Sequence, residues 1–174
     1  MSLIKLSMLT PRYILRPIDS NQDDLSGYLS WMQDEKSNPF IQSVRNDYSL
    51  SELIEYIQKK NSSPDVMLLG IFCAENGKHI GNLKFEPILF ADRRAVLGLL
   101  IGDPEFRGIG VGTEILPYIF SKLCDEYGIE LVELGVDSDN KAALALYQKM
   151  GFGIKSSYGD CGLWMSKYIC KRTE

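Results

Sequence analysis

The stretch LLIGDPEFRGIGVGTE, residues 99–114, decides how this chain is read. An apolar run ends in it. Gly108, Gly110 and Gly112 then follow Arg107, and an apolar helical pattern begins directly after. A strand leading through a glycine-rich turn into a helix N-terminus gathers free backbone N–H groups and the positive end of the helix dipole, which makes an anion site. Three readings compete. A Walker A loop needs Gly-Lys-Ser/Thr at its end, and Gly112-Thr113-Glu114 lacks the lysine. A dinucleotide fingerprint needs G-x-G-x-x-G directly after the first strand; here Thr113 takes the third glycine position and DPEFR intervenes. The third reading is R-x-x-G-x-G, with Arg107, Gly110 and Gly112.

Working outward, RRAVLGLLIGD (93–103) is a continuous apolar run of the kind found in a strand buried on both faces. Ile115, Leu116, Ile119, Phe120, Leu123 and Tyr127 recur at helical spacing up to Gly128, with Pro117 predicting a bend or a late helix start. ELVELGV reads as a further strand, and Asp139 or Asn140 caps a helix that buries Ala143, Leu146, Tyr147 and Met150. The tail, 152–157 and 161–170, reads as a hairpin around YGDCG. Upstream, YILRPI (13–18) is a strand ended by Pro17. A helical pattern follows through Leu25, Tyr28, Leu29 and Met32, and Ser49 with Glu52 forms a capping box. Asn76-Gly77 between two apolar runs predicts a hairpin, with His79 solvated beside the turn. The order β-α-α-β-β-β-α-β-α-β-β predicts one α/β domain over residues 1–174 with a mixed sheet.

Composition narrows the function classes. The 174 residues suffice for one core, and 45% hydrophobic with 24% charged residues is ordinary for a globular protein. A net charge of −4 argues against nucleic acid as a partner. Cys73, Cys124, Cys161 and Cys170 form no C-x-x-C pair and read as reduced thiols, so no metal site is expected. Lys5 and Arg12 interrupt any signal-peptide core, and no apolar run approaches the ~20 residues that span a bilayer. A cytoplasmic location and no membrane partner are therefore expected, and a homodimer is left open.

The third reading of the loop resembles the pyrophosphate loop of the GNAT acyltransferases, which hold coenzyme A. A second block agrees: DSDNKAALALYQKMGF resembles the family's N-x-x-A-x-x-x-Y-x-x-x-G-F, with Asn140, Ala143, Tyr147, Gly151 and Phe152 in place. The likeness is good over residues 95–155 and looser elsewhere. LRPI (15–18) is similar to the branch that includes ribosomal-protein N-terminal acetyltransferases. GYLSWMQDE, GKHIGNLKFEPI and LGLLIGD look similar to acetyltransferases of amino-sugar nucleotides. The resemblance implies a mixed, mostly antiparallel sheet of about six to seven strands flanked by about four helices. It also implies transfer of an acetyl group from acetyl-CoA, without a metal, to a primary amine.

Roles carried over by the resemblance are as follows. The backbone of Arg107, Gly108, Ile109, Gly110, Val111, Gly112 and Thr113 grips the cofactor, with the Arg107 guanidinium as a further phosphate partner. The cofactor arm lies along Leu100, Ile101 and Gly102, and Asn140 caps its helix and bonds the arm. Tyr147 protonates the departing thiolate, although spacing alone reads it as a core tyrosine. Many relatives carry a glutamate on the fourth strand, where AVLGLLIG has no carboxylate. Glu86 is the expected substitute base, Asp137 the alternative, and water a third route. The acceptor amine, a sugar nucleotide, a protein N-terminus or another small amine, is expected against Tyr28, Trp31, Asn38, Phe40 and Arg45, where aromatics and an arginine suit a nucleotide. A non-catalytic acyl-CoA-binding module is the competing function.

Overall fold

The computed structural model describes residues 6–36, 38–41 and 44–170. Its strands are β1 (Met8–Leu9), β2 (Tyr13–Arg16), β3 (Met67–Cys73), β4 (His79–Leu89), β5 (Arg94–Ile101), β6 (Leu131–Asp137), β7 (Gly153–Tyr158) and β8 (Gly162–Tyr168). They form one sheet in the order β1-β2-β3-β4-β5-β6-β8-β7, antiparallel except for β5 with β6. The helices are α1 (Ser26–Gln33), α2 (Leu50–Ser62), α3 (Val111–Tyr127) and α4 (Lys141–Lys149). The two-residue β1 carries the sheet past the expected strand number.

Local chemistry explains most boundaries. β2 stops before Pro17, which has no N–H to give a ladder. The Asn76-Gly77 turn closes β3 onto β4 with Gly77 at φ 73°. α2 starts on the predicted capping box, Ser49 and Glu52 bonding each other's backbone N–H. α1 begins at Ser26, whose N–H donates to Asp24 Oδ1 at 2.9 Å, while Asp23 accepts from the Asp19 N–H and from Arg16. α3 begins at Val111, ahead of Pro117, so the late start does not occur, and it ends at Gly128 in the left-handed region.

Side-chain alternation divides the core between two faces. Leu83, Phe85, Leu97, Leu134 and Met165 pack with α3 and with Tyr147 of α4. On the opposite face Leu68 packs with Trp31 of α1 and with Leu53 and Ile57 of α2. One cysteine expectation is corrected: Cys124 and Cys170 are joined in a disulfide, with Cα atoms 5.5 Å apart, while Cys73 and Cys161 are free. The two lie 46 residues apart in sequence, and the packing of α3 beside the residues that follow β8 brings them together.

The feature that positions the site is a fork. Parallel pairing of β5 with β6 covers only Arg94–Val96 against Leu131–Glu133. β5 nevertheless runs on to Ile101 and β6 to Asp137. Among the described residues β6 pairs with no strand but β8 beyond Glu133, so two strand edges diverge toward the glycine loop.

Candidate active site

The glycine loop spans the mouth of this fork. Gly108 and Gly110 have φ of 72° and 86°, a region that strains any residue with a Cβ. Packing does not demand glycine there: a Cβ at Gly108 would meet nothing within 4 Å, and at Gly110 its nearest neighbour would be Arg12 Nη2 at 3.8 Å. Gly112 has the opposite reason, since a Cβ would lie 2.6 Å from Leu146 Cδ2 and 3.3 Å from Leu99 Cδ2. It lets the start of α3 close onto α4 and β5. The N–H groups of Gly108 through Thr113 have no acceptor among the described residues. Six bare donors at the N-terminus of a 17-residue helix make an anion cradle.

Gly110→Val should therefore weaken acetyl-CoA binding more than tenfold, about 1.4 kcal/mol, while circular dichroism still reports a folded domain. Titration calorimetry on both proteins gives the answer; equal affinities would reduce the loop to a turn.

The arginine beside the cradle is not the one expected. Arg107 turns its guanidinium away, donating from Nε to Ile101 O at 2.9 Å and from Nη2 to Gly102 O and Asn38 Oδ1 at 3.0 Å. It braces the end of β5 against the α1–α2 connection. Arg12 occupies the flank instead, with Nη1 and Nη2 on Ile109 O at 3.4 and 3.3 Å. Glu114 holds it from the first turn of α3 at 2.6 Å and also accepts from Thr10. Nothing in the sequence pointed to Arg12, because it lies 102 residues from its partner. At the end of β5, Ile101 O, Gly102 O and the Gly102 N–H all have protein partners, the last on Ile80 O at 3.0 Å. The edge open to the fork is 97–100.

α4 lines the same side of the fork. Asn140 caps it, accepting from the Ala143 N–H at 3.2 Å. Tyr147 is 6% exposed, with its ring 5.7 Å from that of Phe152, and burial pushes its hydroxyl up to about 12. Glu86 sits between Lys60 and Lys84, with the Lys84 contact at 2.9 Å. Burial would raise its pKa, but the two lysines outweigh burial and hold it below the usual carboxylate range. Asp137 is likewise lowered, by the Cys161 thiol at 3.0 Å and the Asp139 N–H at 2.8 Å.

Of the expected acceptor residues, Tyr28 and Trp31 come together but are buried, Phe40 is exposed, and Asn38 is buried on the Trp31 carbonyl. Arg45 is tied to Asp47 and Glu52 and lies over the Tyr48 ring. Trp31 thus touches both Tyr28 and Asn38. What Tyr28 and Trp31 enclose is His79, which corrects the expectation of a solvated histidine. Its ring stacks on Phe72 at 4.8 Å and meets Trp31 at 5.2 Å and Tyr28 at 5.8 Å. Nε2 faces two acceptors, Gly81 O at 3.0 Å and Asn82 Oδ1 at 2.9 Å, so it carries the proton. Burial lowers the His79 pKa and keeps the ring neutral. The apolar run beside the Asn76-Gly77 turn gave no sign that α1 would cover it.

A fork with a free strand edge, a cradle of bare N–H groups at its mouth and a buried tyrosine beside it now stand together. The sequence profile of the Acetyltransferase (GNAT) domain matches residues 12–153. The chain belongs to the GNAT acetyltransferase family. Among relatives, a mycothiol acetyltransferase of Paenarthrobacter aurescens is 47% identical over 49 residues, 28% of this chain and 15% of that protein. The spermidine N(1)-acetyltransferase of Thermoplasma acidophilum is 26% identical over 133 residues, 76% of this chain and 79% of that one. This chain thus spans a small part of the first relative and most of the second. The GNAT fold is shared with RimL, a ribosomal L7/L12 alpha-N-protein acetyltransferase in complex with coenzyme A, at a TM-score of 0.79 and 17% identity, covering 91% of this chain and 95% of that one. Among the described residues no cluster of metal-binding side chains occurs, and no helix is long and apolar enough to cross a membrane.

Proposed function

We propose that this GNAT protein transfers the acetyl group of acetyl-CoA to a primary amine. The observation that carries the proposal is the fork: pairing of β5 with β6 stops at Val96, directly ahead of a loop whose N–H groups lack acceptors. The peptide-like arm of the cofactor adds to the free edge of β5 over 97–100 as a short strand would. Its pyrophosphate lies on the N–H groups of Gly108 to Thr113, with Arg12 as the flanking cation. This arrangement delivers the thioester into the fork.

The amine nitrogen attacks the thioester carbonyl carbon, and collapse of the tetrahedral intermediate breaks the C–S bond. A backbone N–H of the open β5 edge stabilises the oxyanion. The nitrogen loses one proton and the sulfur gains one, giving amide and free thiol. Tyr147 supplies the proton side of the exchange at sulfur. A phenol held at about 12 stays protonated in the resting enzyme. It donates a hydrogen bond to the growing thiolate and passes its proton as it regains the one the nitrogen gives up. Glu86 and Asp137, both held low, are poor bases, so the amine proton reaches Tyr147 through water. The acceptor is an amino-sugar nucleotide, a protein N-terminus or another small amine.

The first test is linkage. Acetyl-CoA at 100 times its dissociation constant should stabilise the fold by about 2.7 kcal/mol, raising the melting temperature by roughly 5–10 °C. No shift at millimolar acetyl-CoA removes the proposal. The absence of a carboxylate along residues 95–102 favours one alternative, a non-catalytic acyl-CoA-binding module. A thermal shift without thiol release from any amine would establish that module.

A further inference from the structure

The face of the sheet opposite α3 and α4 is only partly covered. α1 and α2 pack over β3 and β4. Beyond them the floor is low, because Gly98 on β5 is bare, with only Lys84 O at 4.0 Å from where a Cβ would be. On either side of Val96 stands a carboxylate held by two cations. On β4, Glu86 binds Lys60 and Lys84. On β6, Glu133 pairs in register with Val96 and binds Arg94 and Lys155, both at 2.9 Å. Trp164 Nε1 adds a third donor to Glu133 at 3.3 Å. Two strand spacings place the clusters about 10 Å apart. Glu133 is 1% exposed, a buried carboxylate built into four strands. Beside it Gly135 leaves room for Trp164 and Tyr158, whose hydroxyl would lie 2.7 Å from a Cβ at that position.

Resting on the acetyltransferase reading, we propose that the acceptor is a primary amine that also carries an acidic group, phosphate or carboxylate, held between the Lys84 and Lys155 ammonium groups beside the Trp164 and Tyr158 rings, which meet edge to face at 6.4 Å. A polyamine fits this trough poorly, because each flanking carboxylate already has two cations. Burial would raise the Glu133 pKa, but Lys155, Arg94 and Trp164 outweigh it, and Glu86 is held low in the same way. Asp137, at the far end of the face, is turned onto Cys161 and the Asp139 N–H, and Asp92 touches Arg94 at 3.4 Å from outside. Each lysine ammonium has three donors, so donors beyond the carboxylate contact remain for an acid on the acceptor. The C-terminal hairpin and β4 thus offer a second pairing of aromatics with cations beside the one expected at Trp31, Phe40 and Arg45.

The test measures thiol release with matched amines: glucosamine 6-phosphate against glucosamine, O-phosphoethanolamine against ethanolamine, a short peptide with aspartates at its second and third positions against the same peptide with alanines, and spermidine. We expect kcat/KM at least tenfold higher for the acidic member of a small-molecule or peptide pair, and the pair that shows it identifies the source of the acid. The ratio should shrink with added salt and fall below threefold in Lys84→Met and in Lys155→Met, with Lys84→Arg retaining it. Preference for spermidine, equal use of the paired amines, or no turnover of any acidic amine by protein that still binds acetyl-CoA overturns the inference and leaves the cofactor reading standing. Failure to bind acetyl-CoA removes both.

Discussion

Tyr147→Phe should bind acetyl-CoA as the parent does yet transfer its acetyl group about 10²-fold more slowly in a single turnover, or worse. That rate loss corresponds to about 2.7 kcal/mol of transition-state stabilisation. The substitution removes one oxygen and keeps the ring contact with Phe152, so the fold should survive. Binding should survive too, because Gly108 to Thr113 and the β5 edge are untouched. The pH profile sharpens the test. With its hydroxyl held at about 12, above the unfolded value of about 10, Tyr147 remains protonated in the folded protein through the working range. The parent single-turnover rate should therefore show no alkaline fall from this residue below pH of about 10. The same raised pKa adds stability that is fully present below the unfolded value and is lost as pH climbs through 10 toward 12. A Tyr147→Phe rate within threefold of the parent would return the residue to the core.

Gly102→Ala should cost about 3 kcal/mol of stability, lowering the melting temperature by roughly 6–12 °C. A methyl there would lie 2.0 Å from Cδ2, 2.2 Å from Cε3 and 2.5 Å from Cε2 of the Trp31 indole. The indole cannot step aside cheaply. It is buried against Tyr28 and His79, and its residue's carbonyl accepts from Asn38, which in turn accepts from Arg107. The Gly102 carbonyl accepts from the same Arg107, so displacement at this point should also disturb the loop and weaken acetyl-CoA binding. Trp31→Leu makes room, so the double variant should lose less than the sum of the single losses in urea melts. Additive losses would mean that the two residues do not meet.

Both predictions rest on residues whose identity could be read in advance but whose surroundings could not. The glycines of the loop, the Ser49–Glu52 cap and the Asn76-Gly77 turn act through nearest neighbours, so their chemistry is complete within a few residues of chain. Tyr147 was visible through its block of spaced residues, and its burial followed from helical periodicity. Arg107 misled because R-x-x-G-x-G places the residue but not the direction of a long side chain. That direction is set by Asn38, 69 residues away. His79 misled for a related reason: a turn neighbour is solvated only if nothing folds over it, and α1 does.

The amino-acid sequence by itself determined the order of elements from β2 onward, the glycine-rich turn and the family, because periodicity, capping and left-handed glycines are local properties of the chain. Tertiary structure alone decided where β5 and β6 part, which arginine flanks the loop, which cysteines are bonded, and that Arg94, Lys155 and Trp164 converge on Glu133. Those depend on strand register and on contacts between distant segments, which a single sequence encodes only through the packing free energy of the whole domain.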